Sequence, residues 1–350
     1  MIARFWRSQR WWIQRVALLP VHLFLFAIAV FFLVRLIPGD PVLIIAGSDD
    51  LSADQYERIQ ELLGLSGSLW HQLMVFLRRV VTLDLGRSLI DGQDVQEQIA
   101  WRLPATIEIA LIAMVLAIAV TLLLSIFAML RPRNPVARFS AFYARSAGAI
   151  PDFVLGVAGI LVFYTVLGWA AAPIGRYDAG LRPAPRSTGF PLLDALLSAD
   201  TVLLSSMLAH LWLPVLVLVV GSAPTIMKVL QRSIERAVDD EATLFRIASG
   251  VPRHVVIVSV LRRASPTMVT MCGQLFGFLL GGAVIIEQLF AIPGMGQYAV
   301  QAVGRADFLA LQAFLLTVAA CVLVVFLIVD LVNMTLDPRR RPGVVAEGTS

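Results

Sequence analysis

Six apolar runs, each of membrane-spanning length, restrict this chain more than any other feature. They cover residues 16–34, 109–130, 153–175, 201–227, 264–286 and 308–329. A bilayer core needs about 20 apolar residues per helix. Backbone polar groups in hydrocarbon must be satisfied within the helix itself. The runs therefore predict an all-α polytopic membrane protein with six transmembrane helices. Composition agrees, with 58% of the 350 residues hydrophobic and 15% charged, outside the range of soluble domains. The first run is not a cleavable signal peptide. It is too long, it lacks a small-residue cleavage site, and Arg35 and Pro38 follow it.

Basic residues in short loops set orientation. Arg4, Arg7, Arg10 and Arg15 precede the first run, Arg131, Arg133, Arg138 and Arg145 follow the second, and Arg339, Arg340 and Arg341 follow the sixth. The loop after the fourth run is also arginine-rich. These segments fall on one side, the cytoplasm, and so do both termini. The expected divisions are a cytoplasmic segment 1–15, a first helix 16–36, an extracytoplasmic helical region 37–104, a five-helix core 105–336 and a cytoplasmic tail 337–350. Within 52–83, Leu51, Tyr56, Ile59, Leu62 and Leu63 recur at helical spacing, with Ser52 as N-cap and Gln55 three residues later. A second helical piece is expected over 70–81. The 176–200 loop is rich in proline and glycine and is expected to be irregular.

Several function classes are excluded. No basic tract suits nucleic acid. Cys272 and Cys321 lie inside apolar runs and read as small buried hydrophobes. The spans lack the buried charges and internal repeats of ion-coupled transporters. Glu108 and Glu287 stand at span ends, where a carboxylate can reach water. An intramembrane serine protease needs a serine and a histidine facing each other from two spans. Here Ser205, Ser206 and His210 share one span, and Ser249 lies in a polar loop. No Gly-x4-Gly-Lys-Ser/Thr loop is present, so the chain has no ATPase site of its own. Gln274, Gln288, Thr267, Thr270 and Ser205 are polar groups in or near spans, suited to lining a path or to helix–helix hydrogen bonds.

The polar stretch 228–263 separates the fourth and fifth runs. It holds Asp239, Asp240 and Glu241, then Gly250 and Pro252, then Arg253, His254, Arg262 and Arg263. Ile234, Val238, Leu244, Phe245 and Ile247 offer apolar contacts, and Asp239, Asp240, Glu241 and Arg246 offer polar surface. Gly250 as a left-handed stop, with Pro252 after it, predicts a short amphipathic helix ending there.

Further motifs flank the runs. They read Arg35-Leu36-Ile37-Pro38-Gly39-Asp40-Pro41, Leu83-Asp84-Leu85-Gly86-Arg87-Ser88, Arg102-Leu103-Pro104-Ala105-Thr106, Glu287-Gln288-Leu289-Phe290-Ala291-Ile292-Pro293-Gly294-Met295-Gly296 and Leu336-Asp337-Pro338-Arg339. Each suffices as a turn or helix stop by itself. In this order the set resembles the first-permease type of binding-protein-dependent ABC importers for dipeptides, oligopeptides and nickel, over almost the whole chain.

That resemblance implies a transport permease in a bacterial inner membrane, importing short peptides. The same machinery importing nickel or a metal chelate is the alternative, and a motor-independent channel or scaffold is the reading from another class. The implied partners are a second homologous permease, two ATPase subunits that hold ATP and Mg, an extracytoplasmic binding protein and membrane lipid. No cofactor or metal is implied for this chain. Asp239, Asp240, Glu241, Leu244, Phe245, Arg246, Gly250 and Pro252 would form the ATPase-coupling segment. Pro38, Gly39, Asp40, Pro41, Glu287, Pro293, Gly294 and Gly296 would shape the mouth that meets the binding protein. Glu287 matches the acid that opens the family's Pro-Gly turn, with capping or pairing to an arginine as its physical role. The chain departs from the family around Gly250: Phe245, Ile247 and Ser249 differ from the family's basic, alanine-rich stretch, and the chain is one residue short between the glycine and the fifth run. The family's Glu-Ala-Ala, three residues, Gly pattern falls on Leu244, Phe245 and Arg246 before Gly250, and the literal Glu241-Ala242 stands three residues early.

Overall fold

The computed structural model describes residues 2–36, 41–46, 51–62, 65–88, 90–146 and 148–336. Pro38, Gly39 and Asp40 of the first turn, and the 337–350 tail, lie outside the described residues. The regular elements among those described are all helices. They are α1 (Ile2–Val34), α2 (Pro41–Ala46), α3 (Ala53–Leu62), α4 (Leu69–Val81), α5 (Val95–Leu130), α6 (Pro135–Arg145) and α7 (Asp152–Gly159). After these come α8 (Pro191–Leu197), α9 (Thr201–Asp239), α10 (Glu241–Ala248), α11 (Arg253–Leu289), α12 (Met295–Gly304) and α13 (Phe308–Leu336). Five of them, α1, α5, α9, α11 and α13, are long and apolar enough to cross a membrane.

The third apolar run behaves differently. Helix α7 passes directly into a π-helical stretch, Ile160–Val166, and stops. Together they form a shorter apolar helix, Asp152–Val166, about 22 Å long at the α-helical rise. Gly168 is left-handed at φ +64°, and the Trp169 and Ala170 amides both donate to the Phe163 carbonyl at 2.7 and 3.0 Å. The expected helix over 167–175 is therefore absent. Apolar composition persists there, but a left-handed glycine and Pro173 prevent a helix from continuing.

The main core lies where α5, α9 and α11 meet. Ala110, Ala113 and Ala117 of α5 are fully buried against Leu218 of α9 and Leu279 of α11. Small residues at that seam let backbones approach closely, which is how helices hold together when lipid is as apolar as their side chains. A second core joins Val30 and Phe31 of α1 to Leu73 and Leu77 of α4, Tyr298 of α12 and Ala310 of α13. A third, smaller core joins Leu230, Ile234 and Ala237 of α9 to Val260 and Ala264 of α11. Ile234 and Val238, expected on the amphipathic segment, thus belong to α9 and its packing. Nothing in 228–239 breaks a helix, so α9 runs on through Asp239.

Prolines inside the long helices each strand the carbonyl four residues back. Three of those carbonyls find a specific replacement. Pro224 frees the Val220 carbonyl, which accepts from the Tyr143 hydroxyl at 2.8 Å. Pro266 frees that of Arg262, which accepts from the Ser265 hydroxyl at 2.9 Å. Pro104 frees that of Ala100, which accepts from Arg186 in the loop before α8. Two of these bonds also tie neighbouring elements to a long helix, α6 to α9 and the 176–190 loop to α5.

The segment after α1 contains the two expected helical pieces. Ser52 and Gln55 form a reciprocal capping box, with the Gln55 amide donating to Ser52 Oγ at 3.3 Å and the Ser52 amide donating to Gln55 Oε1 at 3.1 Å. Ser68 caps α4 through the His71 amide. Gly86 is left-handed at φ +77°, and it turns the chain so that the Ser88 hydroxyl donates to Asp307, the residue that also receives the Ala310 amide at the start of α13. The loop between the π-helical stretch and α9 is irregular apart from α8.

Candidate functional site

The 239–252 segment is built around one side chain that serves two helices. Asp240 ends α9 and caps α10, accepting from the Ala242 amide at 3.0 Å. Its carboxylate also pairs with Arg263 of α11 at 3.0 Å. Thr243, only 1% exposed, donates to the Ala237 carbonyl of α9 at 2.6 Å and accepts from Arg263. Arg246 reaches Ser259 of α11. Helix α10 is thereby stapled to α9 and α11 along one side. Sequence reasoning missed Thr243, Ser259 and Arg263 as the staples. The spacing of Asp240 and Thr243 around a helix start was the available signal.

The other side of α10 is bare. Leu244, Phe245 and Ile247 are 53%, 72% and 55% exposed, large values for apolar side chains on a helix that is firmly held. Asp239, Glu241 and Arg246 surround them at the surface. The helix ends in a complete Schellman motif. Gly250 is left-handed at φ +70°, its amide donates to the Ile247 carbonyl at 3.1 Å, and the Val251 amide donates to the Arg246 carbonyl at 3.1 Å. Pro252 then caps α11. The result is an exposed apolar knob, fixed in angle at both ends, projecting from two core helices.

At the opposite end of α11 stands Glu287. It is completely buried, contrary to the expectation that it reaches water. Its carboxylate accepts from the Thr106 hydroxyl of α5 at 2.5 Å and from the Gly296 and Gln297 amides at 2.6 and 3.3 Å. Thr106 in turn accepts from the Met295 amide at 2.8 Å. Glu287 therefore caps α12 and clasps it to α5 and α11. Gly294 and Gly296 make room for this clasp. A Cβ on Gly294 would overlap the carboxylate, and one on Gly296 would strike the Val284 backbone. Pro293 and left-handed Ala291 shape the turn between the helices. Pro41 opens α2.

Glu108 is buried as well, and the reason is again a partner out of sequence reach. It pairs with Arg176 and accepts from the Leu192 and Leu193 amides at 2.9 and 3.2 Å. Burial pulls the Arg176 guanidinium below its usual pKa, and the charge of Glu108 opposes that shift. His210 is buried too, with Nδ1 2.8 Å from the Ser206 carbonyl of its own helix and Nε2 3.8 Å from Asp178.

Comparison with known proteins agrees with this architecture. The family of inner membrane components of binding-protein-dependent transport systems matches residues 121–342. The N-terminal region of such components matches residues 9–110. The chain is 33% identical over 310 residues to a probable D,D-dipeptide transport system permease protein of Escherichia coli, covering 88% of this chain and 91% of the relative. It is 31% identical over 330 residues to a di/tripeptide transport system permease protein of Pseudomonas aeruginosa, covering 94% and 97%. It is 30% identical over 315 residues to the dipeptide transport system permease protein of E. coli, covering 89% and 92%. The chain belongs to the inner membrane components of binding-protein-dependent ABC transport systems, as a permease without ATPase activity.

Proposed function

We propose that this permease imports short peptides, handed over by an extracytoplasmic binding protein, and that it works beside a second homologous permease and two ATPase subunits that hold ATP and Mg. The cargo assignment rests on the peptide permeases among its relatives. The motor assignment rests on one observation, the exposed Leu244, Phe245 and Ile247 on a helix stapled to α9 and α11. In this reading the chain crosses the membrane six times, with the Asp152–Val166 helix as the short third crossing, and both termini and α10 lie in the cytoplasm. The Glu287 clasp then stands at the outer mouth.

The mechanism follows from how α10 is attached. An ATPase cleft that closes on ATP moves α10, and α10 carries α9 and α11 with it because its polar side is bonded to both. Those helices share their core with α5, so the three turn as a body between inward-open and outward-open states. Such a shift requires ATP and the loaded binding protein to favour the same state. A pull-down of the tagged protein from native membranes in mild detergent tests the assembly. Recovery of a second permease and two ATPases supports it. Recovery of the chain alone, under conditions that keep a known importer intact, returns a channel or scaffold to first place. Uptake that responds to nickel chelates and not to peptides overturns the cargo.

A further inference from the structure

Helix α7 lies along the groove between α9 and α11, and one face of it does the packing. Gly159 sits on Leu213, Gly156 on Val217, Ile286 and Leu289, and Asp152 on Gly221 and Gly282. The Asp152 carboxylate closes this series. A Cβ on Gly221 would overlap its Oδ1, and one on Gly282 would come within 3.3 Å of its Oδ2. One carboxylate oxygen therefore rests on each long helix.

This acid has no partner. Among the described residues no hydrogen bond or ion pair reaches its carboxylate. The surrounding elements are nearly free of charge. Helix α7 and the π-helical stretch after it carry no other charged residue. Helix α11 has none between Arg263 and Glu287, and α9 has only the buried His210 between 201 and 227. Arg145 closes α6, and Lys228 lies about 10 Å along α9 from Gly221. Both are exposed, and neither pairs with Asp152. Unlike Glu108 and Glu287, Asp152 is not sealed in, for it is partly exposed. Yet both glycines beneath it belong to apolar runs, 201–227 and 264–286. In the six-crossing arrangement the carboxylate thus stands at membrane depth, where ionisable residues face a bundle interior or a water-filled cavity.

Two further features share this side of the bundle. The backbone just ahead of Asp152, residues 148–151, is exposed and not helical. Irregular backbone at membrane depth is tolerated only where it is buried in protein or lines water. On α11, Gln274, Gly281 and Gln288 recur every seven residues on one exposed stripe beside Gly282. Neither glutamine side chain has a partner among the described residues. Lipid suits none of these groups. A second permease packed flat against them would have to supply a partner for each, whereas a water-filled path between the two permeases hydrates them all.

We propose that Asp152 lines the translocation path and receives the ammonium group of the passing peptide. The proposal rests on the peptide-import reading and adds a cargo contact to it. A single negative charge without a counter-ion attracts an ammonium group and repels a carboxylate, and the ammonium brings three donors to an acceptor that has none. The contact is made on α9 and α11, the helices that α10 moves.

The test uses the complete importer in proteoliposomes with radiolabelled tri-L-alanine. Asp152→Asn, neutral and of the same shape, should cut uptake about tenfold. Asp152→Lys should cut it further, and Asp152→Glu should retain most of it. ATP hydrolysis stimulated by the loaded binding protein should persist in Asp152→Asn, because the motor contacts are untouched. A role in helix packing alone gives the opposite order, since asparagine keeps the fit between the glycines and the longer glutamate does not. That order, or uptake indifferent to all three changes, overturns the proposal. Loss of stimulated hydrolysis along with uptake in Asp152→Asn assigns the residue to the fold and overturns it too. Access is read separately. With Cys272→Ala and Cys321→Ala, Asp152→Cys should react with a trimethylammonium methanethiosulfonate reagent in the resting or the ATP–vanadate state. Leu25→Cys, exposed on α1, should not. An Asp152→Cys that is unreactive in both states removes it from the path. Wild-type vesicles that take up no tri-L-alanine sink the import reading and the cargo contact with it. Wild-type uptake that Asp152→Asn leaves intact sinks this site only.

Discussion

Glu287 joins α5, α11 and α12 through one side chain. It has no water to turn to, and three donors converge on it. Removing it leaves those donors buried and unpaired, at on the order of 1–3 kcal/mol each. Glu287→Ala should lower the melting temperature of the detergent-solubilised protein by several degrees. Thr106→Val should do the same to a smaller extent, since it breaks one bond and strands the Met295 amide. The double variant should cost less than the sum, because both changes act on one network. An unchanged melting point for Glu287→Ala would remove the clasp from the account. Tyr143→Phe is a milder case of the same kind. It strands the Val220 carbonyl that Pro224 frees, and the cost should be about 1 kcal/mol, the scale of interhelical hydrogen bonds in membranes.

At the scale of one element, α10 separates stability from coupling. Its staples face inward and its apolar side chains face out, so the two properties should respond to different substitutions. Phe245→Ala and Leu244→Ala remove exposed surface and should leave melting unchanged. They should reduce ATPase co-purification, and with it ATP-driven uptake, by more than tenfold. Gly250→Ala forces a left-handed conformation on alanine at about 1–2 kcal/mol. It should tilt or fray the end of α10 and impair coupling while the permease stays folded. Coupling at wild-type levels in all three would mean that α10 is not the handle. Much of this element was legible in the sequence, because Gly250 and Pro252 carry their backbone preferences locally. What was not legible was its start. Ile234 and Val238 have helical spacing relative to Phe245, yet α9 claims them, since only the Asp240 side chain interrupts the helix. The third apolar run failed for a related reason: hydropathy reports burial in lipid and does not report where a helix stops, so residues 167–175 read as span although the backbone has left the helix at Gly168.

Across the whole molecule, the long helices could be read from their apolar runs, but the bonds that orient them could not. Ser88 with Asp307, Thr106 with Glu287 and Glu108 with Arg176 join residues far apart in the chain. A single sequence contains no signal for such pairs beyond a polar residue near an apolar run, which is why Glu108 reads as water-facing and why Glu287, although expected to cap, cannot be matched to Thr106. The number of crossings depends on the element that the sequence described least well. The Asp152–Val166 helix covers about 22 Å, short of a bilayer core of about 30 Å. In the proposed arrangement the end of helix α6 makes up the difference. Tyr143, near its end, bonds to Val220, which lies midway along α9. The chain has therefore already advanced along α9 before α7 begins, and in the proposed six-crossing arrangement α6 with α7 forms one broken crossing. Broken helices are tolerated at such depth where neighbouring helices satisfy the freed groups, as Tyr143 does here. This predicts opposite sidedness for the segments on either side of the break. With Cys272 and Cys321 replaced by alanine, an Arg182→Cys variant should react with a membrane-impermeant maleimide in intact spheroplasts. Phe245→Cys and Arg131→Cys should react only after the membrane is opened. Labelling of Arg182→Cys and Arg131→Cys from the same side would mean that the α6–α7 unit enters and leaves by one face, and the six-crossing arrangement would fall with it.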